Sequence, residues 1–160
     1  RRVVSFIGDS TFFHAGLPGI VNSLFNQHNH TLVIMENGTT AMTGHQDHPG
    51  GSRNFNGPTD AIPIRQVLEG LGVKSIREID TYRQAQLKSL MEEALEEEGF
   101  NVVIAKHPCM LKFTRQRRRQ GKPLPPPVEI DERCNQLHVC VSEFACPSYQ
   151  LEPDGSVWVQ

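Results

Sequence analysis

Apolar-rich segments alternate with amphipathic stretches along the chain up to residue 110. The apolar-rich segments predict strands, and they lie at 3–7, 32–35, 73–79 and 102–105. We expect the first of these strands, 3–7, to be buried. The amphipathic stretches predict helices, at 15–27, 59–71 and 81–98. Strands that alternate with helices usually form a parallel sheet that is covered by helices. The pattern therefore predicts an α/β fold, a parallel sheet with helices on both faces.

The apolar positions of two predicted helices repeat at intervals of three and four residues, as in helices that pack against a core. The first helix has an apolar face formed by Ile20, Val21, Leu24 and Phe25. The third has an apolar face formed by Leu87, Leu90, Met91, Ala94 and Leu95. Thr81 and Gln84 fit a capping box at the start of the third helix, and Gly99 fits the glycine that often follows a helix.

The composition is that of a folded protein without a strong charge bias. The chain has 160 residues, of which 38% are hydrophobic and 21% charged, and its net charge is −2. This charge disfavours a strongly basic nucleic-acid-binding protein. No apolar run reaches the roughly 18–20 residues of a transmembrane helix, and the segment 3–7 is too short for a secretory signal peptide. We therefore expect a cytoplasmic location, with neither nucleic acid nor a membrane as a partner.

Charge and proline content change abruptly between residues 112 and 127. Six of the 16 basic residues lie in 112–122, and four prolines lie in 123–127. The change predicts a domain over 1–115, a basic and Pro-rich linker over 116–128 and a small module over 129–160. Phe113 is the one aromatic residue within the basic run, which disfavours nucleic-acid binding there. We predict a solvated loop that could contact an acidic protein or a phosphorylated cosubstrate.

Polar residues follow the first two predicted strands. Gly8, Asp9 and Ser10 follow the first strand, and Asn37 follows the second, 28 positions after Asp9. Taken singly, each segment predicts only a turn. The ends of neighbouring parallel strands lie at one edge of a sheet, however, where α/β proteins bind ligands. Carboxylate and amide oxygens suit Mg²⁺, so the pair predicts a site for a metal ion and a diphosphate.

Two longer segments extend this motif and resemble a known family. Residues 8–18 read GDSTFFHAGLP, and residues 36–46 read ENGTTAMTGHQ. The Asp9 and Asn37 spacing resembles the thiamine diphosphate motif. Both segments resemble the alpha subunit of the indolepyruvate ferredoxin oxidoreductase family, within the thiamine diphosphate-dependent 2-oxoacid:ferredoxin oxidoreductases. The resemblance covers 1–150 and implies the C-terminal part of a larger chain, with an N-terminally incomplete cofactor domain.

The resemblance implies specific roles around thiamine diphosphate and Mg²⁺. The Mg²⁺ ligands would be the side chains of Asp9 and Asn37 and the backbone carbonyl of Thr39. The cofactor-binding residues would be Gly8, Asp9, Ser10, Asn37, Gly38, Thr39, Thr43, Gly44 and Gln46.

His14 and His45 are the candidate catalytic residues, and each has two interpretations. An imidazole beside the cofactor could stabilise charge or move a proton. Alternatively, His14 packs at the start of a helix, and His45 and His48 lie on the surface of a loop. The residues around His48 match no standard zinc pattern, so a zinc site is disfavoured.

Three cysteines lie in the small C-terminal module. Cys134, Cys140 and Cys146 each have five residues between them, and Leu137 stands where the related pattern C-x2-C-x2-C-x5-C-P has a further cysteine. The resemblance implies a partial ferredoxin-like module with a [4Fe–4S] cluster that lacks one ligand, followed by a hairpin over 151–159. Three interpretations stay open: a cluster completed by His138, solvent or another chain, a three-iron cluster, or a module without metal.

The resemblance implies an oxidative decarboxylation of 2-oxoacids, among them aryl pyruvates such as indolepyruvate, to acyl-coenzyme A. Electrons would pass to ferredoxin, and the chain would act with the rest of its polypeptide or with a second subunit in a hetero-oligomer. Two alternatives stay open. One is a noncatalytic or assembly subunit that keeps the cofactor fold, and the other is a nonoxidative thiamine-dependent decarboxylase.

Overall fold

The structure, a computed structural model, describes residues 3–124 and 128–159, and the chain divides into two compact units, 1–119 and 120–160. The strands of the first unit are β1 (Val4–Gly8), β2 (His30–Glu36), β3 (Arg53–Asn54), β4 (Gly57–Pro58), β5 (Ser75–Asp80) and β6 (Phe100–Lys106). Its α-helices are α1 (Asp9–Thr11), α2 (Leu17–Phe25), α3 (Ile64–Gly70), α4 (Gln84–Glu96) and α5 (Met110–Arg119). A π-helical turn, Phe12–Gly16, joins α1 to α2, and Ala41–Thr43 forms a 3-10 turn.

Four strands form the predicted parallel sheet, in the order β1-β2-β6-β5. β2 and β6 are central, and their apolar side chains alternate between the two faces, as strand geometry requires. On one face Leu32 and Ile34 pack with Phe12, Ile20 and Leu68 from the helical segments. On the other face Val33 and Val103 pack with Ala94 of α4. The α/β fold with helices on both faces is confirmed.

The sequence predicted a buried first strand, but in the structure this strand is not buried. β1 lies at the edge of the sheet, and its side chains are half-buried or exposed, with Phe6 60% exposed. An edge strand is covered less completely than the central strands, so its apolar run does not indicate burial on both faces.

The first helical segment begins at Asp9, six residues before the predicted start. Its apolar face differs from the prediction, because Phe12 is fully buried whereas Val21 is exposed and Phe25 is 85% exposed. The π-helical turn adds a residue to one turn and so changes which positions face the sheet. Asp9 in the first turn is a typical helix-start residue and could have indicated this boundary.

The second helix also has different bounds, since α3 begins at Ile64 with Pro63 as its N-cap. Residues 59–62 belong instead to a loop. The N–H of Thr59 donates to the carbonyl of Ser52 (3.1 Å) and the N–H of Ile62 to that of Pro49 (2.9 Å). These hydrogen bonds hold the segment in the loop, so the observed helix lacks the first turn of the helix predicted over 59–71.

The third helix has the predicted apolar face, but not the predicted ends. Ala94 is buried, and Leu90 and Met91 pack beside it. The predicted capping box is absent, since Arg83 occupies the N-cap. The N–H of Thr81 donates instead to the carbonyl of Lys106 at the end of β6 (3.1 Å). The helix ends at Glu96, so Gly99 with its φ of +96° belongs to the turn into β6.

The basic run begins in a helix rather than in the predicted loop. α5 extends through Arg119, so the first four residues of the predicted linker over 116–128 are helical. Its last turn contains Arg117, Arg118 and Arg119, where positive charge interacts favourably with the helix dipole.

The second unit contains a short helix and a hairpin. Helix α6 spans Val139–Ser142, and strands β7 (Tyr149–Leu151) and β8 (Val157–Val159) pair antiparallel, as the predicted hairpin requires. Over 3–124 and 128–159, the structure has no helix long and apolar enough to span a membrane.

Candidate functional site

Asp9 is the central residue of a polar site at the carboxyl ends of β1 and β2. Its side chain is 3% exposed. Oδ2 accepts hydrogen bonds from the backbone N–H of Asn37 (2.9 Å) and of Gly38 (2.7 Å). Oδ1 accepts one from the N–H of Ser10 (2.8 Å). Three amide donors therefore fix the orientation of this carboxylate.

The strand register explains why these residues meet. β1 and β2 are parallel, with Gly8 opposite Met35, so Asp9 and Asn37 leave the sheet at the same edge. Asn37 Oδ1 accepts a hydrogen bond from the N–H of Thr39 (3.0 Å), and Thr39 is buried. Gly38 has a φ of +74°, a conformation that glycine adopts without strain. The juxtaposition predicted from the spacing of Asp9 and Asn37 is present in the structure.

The loop after this turn folds back on itself. The carbonyl of Gln46 accepts hydrogen bonds from Thr39 Oγ1 (3.2 Å) and from the N–H of Thr40 (3.0 Å). Thr43 Oγ1 donates to Gln46 Oε1, and Gly44 closes the turn with a φ of +107°. Thr43, Gly44 and Gln46 thus belong to one ordered loop beside Thr39.

His14 and His45 line the same cavity, of about 700 Å³, next to this loop. His14 Nδ1 lies 2.7 Å from the carbonyl oxygen of Ser10. A carbonyl only accepts hydrogen bonds, so Nδ1 carries the proton and Nε2 of the neutral ring is an acceptor. His14 can therefore take up a proton at Nε2, on a ring that the helix backbone orients.

Cys109 connects the loops that follow β2 and β6. Its N–H donates to the carbonyl of Asn37 (3.1 Å), and its Sγ lies 3.9 Å from Nδ1 of His45. His45 itself has a φ of +64°. A non-glycine residue in this region costs conformational energy, which often marks a functional position.

Comparison with known proteins identifies the domain. The family of thiamine pyrophosphate enzymes, C-terminal TPP-binding domain, matches residues 1–105. The chain belongs to this family. Thiamine pyrophosphate is thiamine diphosphate, so residues 1–105 are a thiamine diphosphate-binding domain.

Two curated relatives are similar along most of the chain. The indolepyruvate oxidoreductase subunit IorA of Archaeoglobus fulgidus is 38% identical over 92% of this chain and 24% of its own length. That of Methanothermobacter marburgensis is 39% identical over 99% of this chain and 25% of its own length. The chain thus spans about a quarter of the length of the curated relatives it matches. The resemblance predicted from segments 8–18 and 36–46 is confirmed.

A solved structure supports the fold of the thiamine diphosphate-binding domain. A 2-oxoglutarate:ferredoxin oxidoreductase from Magnetococcus marinus superposes with a TM-score of 0.59, at 21% identity, over 78% of this chain and 46% of that chain.

His48 belongs to the site of the thiamine diphosphate-binding domain, although the sequence had favoured a position on the loop surface. It is 5% exposed, and its Nε2 lies 3.2 Å from Oδ2 of Asp9. The pair is not aligned as a hydrogen bond, and Nε2 has no hydrogen-bond partner among the described residues. Pro49, Gly50 and Gly51 indicated a tight turn after His48, but nothing in the sequence indicated that the turn buries the ring.

A second cavity of the domain, of about 670 Å³, is strongly cationic. Its basic side chains are Arg53, Lys112, Arg115 and Arg119, and Asp47 is its single acidic one. Lys112 Nζ lies 3.8 Å from Asp47 and 3.5 Å from the carbonyl of Gly38. Gly38, Gly44 and His45 also line this cavity, so it lies beside the Asp9 site.

The cysteines of the second unit are not assembled as metal ligands. The N–H of Cys146 donates to the carbonyl of Cys140 (3.0 Å), and the N–H of Cys134 to that of Asp131 (3.0 Å). His138 donates from Nε2 to the carbonyl of Gly155 (2.9 Å), which leaves only Nδ1 for a metal. Over 3–124 and 128–159, no group of three or more His, Cys, Asp or Glu side chains is placed to hold a metal ion.

Proposed function

We propose that this chain is the cofactor-holding part of a thiamine diphosphate-dependent oxidoreductase that decarboxylates 2-oxoacids. The observation that carries the proposal is the buried carboxylate of Asp9, which the amides of Asn37 and Gly38 orient at the sheet edge. The family match over 1–105 supports the cofactor, and the names of the relatives support the reaction class and indolepyruvate as a substrate.

The residues around Asp9 suit Mg²⁺. Asp9 contributes a carboxylate, Asn37 an amide oxygen and Thr39 a backbone carbonyl, all of them hard oxygen donors. The N–H of Thr39 holds the amide group of Asn37 in place. We infer that these three residues bind Mg²⁺ and that Ser10 and the backbone at Gly8 and Gly38 lie near the diphosphate.

Thiamine diphosphate supplies, when bound, a carbanion that adds to a 2-oxo carbon and an electron sink for the decarboxylation. The histidines of this chain would serve the proton transfers. His14 accepts a proton at Nε2 while Nδ1 stays bonded to the carbonyl of Ser10. His45, which lines the same cavity, would stabilise the substrate carboxylate or a developing charge.

The cationic cavity supports the expected partners. Four basic side chains beside the Asp9 site favour the phosphates of coenzyme A or an acidic protein such as ferredoxin. We propose acyl-coenzyme A as the product and ferredoxin as the electron acceptor. The rest of the polypeptide or a second subunit would complete the enzyme, because the chain spans only about a quarter of the relatives.

The described cysteines do not fit a cluster as they stand, so no electron transfer is assigned to Cys134, Cys140 or Cys146. This observation, together with Leu137, favours one second candidate. The protein would then be a thiamine-dependent decarboxylase without electron transfer in its C-terminal module.

The test is a titration of the full assembly, purified anaerobically, with thiamine diphosphate at varied Mg²⁺. We expect tight Mg²⁺-dependent binding by the parent protein, and at least a tenfold loss of affinity in Asp9→Ala and in Asn37→Ala. Asn26→Ala, at the exposed residue that follows α2, is the control and should bind as the parent does. Unchanged affinity in both site variants would overturn the metal–diphosphate assignment.

Iron, acid-labile sulfide and thiamine diphosphate are measured per copy on the same preparation. Cofactor together with iron and sulfide supports the oxidoreductase, whereas cofactor without iron supports the decarboxylase. If neither is bound, a noncatalytic subunit remains.

A further inference from the structure

His48 is a buried titratable side chain that the proposed function does not yet use. Its side chain is 1% exposed, and Nε2 lies against Oδ2 of Asp9 at 3.2 Å. Nε2 has no hydrogen-bond partner among the described residues. Most buried polar atoms of folded proteins are hydrogen-bonded, so an unpartnered nitrogen beside a carboxylate indicates a functional role.

The turn after His48 determines which ring nitrogen carries the proton. The N–H of Gly50 donates to Nδ1 of His48 (3.1 Å), so Nδ1 presents a lone pair. The proton of the neutral ring is then on Nε2. His48 therefore has a protonated Nε2 3.2 Å from Oδ2 of Asp9, although this N–H is not aligned as a hydrogen bond.

The two oxygens of Asp9 are used unequally. Oδ2 accepts hydrogen bonds from the N–H groups of Asn37 and Gly38, and it lies 3.2 Å from Nε2 of His48. Oδ1 accepts a single hydrogen bond, from the N–H of Ser10. A carboxylate oxygen has two lone pairs in its plane, so the amides of Asn37 and Gly38 occupy both lone pairs of Oδ2, whereas Oδ1 keeps one for a cation.

The local packing holds the His48 ring in place. Phe13 lies beside the ring, with a centroid separation of 6.0 Å and an angle of 30° between the ring planes. The N–H of Gly51 donates to the carbonyl of His48 (2.7 Å). A Cβ atom at Gly50 would lie 2.8 Å from Phe13 Cε2 and 3.1 Å from His48 Cε1, so glycine is needed there for the close approach.

We propose that His48 is a positioning residue for the cation site, an inference that rests on the proposed function. Its Nε2 lies against Oδ2 of Asp9 and keeps that oxygen on the side of the two amides, so that Oδ1 is the oxygen that binds the divalent cation. Groups that orient a metal ligand typically change metal affinity by 10–100-fold when they are removed.

The experiment measures the Mg²⁺ dissociation constant of the full assembly by calorimetry at saturating thiamine diphosphate. We expect His48→Ala to weaken Mg²⁺ binding about tenfold or more. His48→Gln, whose amide can donate from nearly the same place as Nε2, should stay within about threefold of the parent protein. His28→Gln, at an exposed histidine, is the matched control and should not change the constant.

Gly50→Ala provides an independent variant with His48 intact. Its Cβ would meet Phe13 at 2.8 Å and the His48 ring at 3.1 Å, so both rings must shift. We therefore expect a loss of Mg²⁺ affinity in the same direction as that of His48→Ala, but smaller. Far-ultraviolet circular dichroism and thermal unfolding show whether each variant has folded. If His48→Ala has not folded, the Mg²⁺ dissociation constants of His48→Gln and Gly50→Ala test the proposal.

The outcomes separate the two proposals. If the parent protein shows no Mg²⁺-dependent cofactor binding, the proposed function fails and this inference with it. If the parent binds Mg²⁺ and Asp9→Ala does not, but His48→Ala binds as the parent does, only the role of His48 is overturned. Equal losses in His48→Ala and His48→Gln would also overturn it, because a polar N–H group beside Oδ2 would then not be the cause.

Discussion

Asp9 accepts a 2.7 Å hydrogen bond from the backbone N–H of Gly38, 29 positions further along the chain. The contact joins the start of α1 to the turn that follows β2. It also brings the segments 8–18 and 36–46 together, through a side chain of the first segment and the backbone of the second. The same carboxylate thus has a structural role in addition to its proposed role as a cation ligand.

Asp9→Ala should destabilise the domain even without cofactor. The substitution leaves the N–H groups of Ser10, Asn37 and Gly38 without their acceptor, at a cost of about 1–3 kcal/mol. Asp9→Asn should cost less, since its amide oxygen still accepts from the donors on one side. Urea unfolding of the cofactor-free protein measures both, and equal stability of Asp9→Ala and the parent would contradict the structural role.

Two phenylalanines of the first helical segment should respond very differently to truncation. Phe12 is fully buried between the helix and the sheet, so Phe12→Ala should lower the free energy of unfolding by about 3–5 kcal/mol. Phe25 is 85% exposed, so Phe25→Ala should change it by less than about 0.5 kcal/mol. Chemical denaturation of the two variants tests which face of the helical segment packs against the sheet. Similar losses of unfolding free energy in both variants would contradict the assignment.

The ion pair between Arg77 and Glu97 should contribute to stability in a pH-dependent way. The hydrogen bond from Arg77 holds the pKa of the Glu97 carboxyl below its ordinary value of 4.5. A lowered folded-state pKa stabilises the protein above the unfolded value, and the contribution is lost as the pH falls through the folded value. At neutral pH, Arg77→Ala should cost at most about 1 kcal/mol, since the pair is partly exposed to solvent.

Unfolding curves of the parent protein and Arg77→Ala, collected between pH 7 and pH 3, measure this contribution. The difference should shrink as the pH falls below 4.5. Lys74→Ala is a control that should give a constant difference, and a pH-independent effect of Arg77→Ala would refute the assignment to Glu97.

Leu137 is the position at which the cysteine pattern is incomplete. Leu137→Cys supplies a fourth thiolate within the module, so it should raise iron and acid-labile sulfide per chain relative to the parent after anaerobic reconstitution. Leu151→Cys adds a thiol to the same module outside the pattern and serves as the control. Equal iron content in both variants would show that the module does not use the pattern.

The cationic cavity should contribute to the binding of an anionic partner. Arg115→Glu reverses a charge in its wall and should raise the KM for coenzyme A by more than tenfold at low salt, with a smaller effect at high salt. Arg118→Glu makes the same change on the same helix, outside the residues that line the cavity. Steady-state kinetics at two ionic strengths compare the two, and equal effects would indicate a general rather than a local influence of charge.

Most of the fold could be predicted from the sequence because it depends on local pattern. The apolar-rich segments of β2 and β6 and the stripe through Ala94 are periodic, and periodicity determines which elements can cover a parallel sheet. Helix ends were predicted less well. Thr81 is of a residue type that commonly caps helices, but its N–H donates to the carbonyl of Lys106, which is distant in sequence.

The sequence by itself determined the α/β class and the pairing of Asp9 with Asn37, because strand ends in a parallel sheet bring those motifs to one edge. Only the tertiary structure decided that His48 lies against Asp9, that Phe12 rather than Phe25 enters the core, and that Cys109 reaches His45. The physical reason is that burial and side-chain contact depend on how loops close over the sheet. Those closures rest on backbone hydrogen bonds between distant residues, which no local pattern encodes.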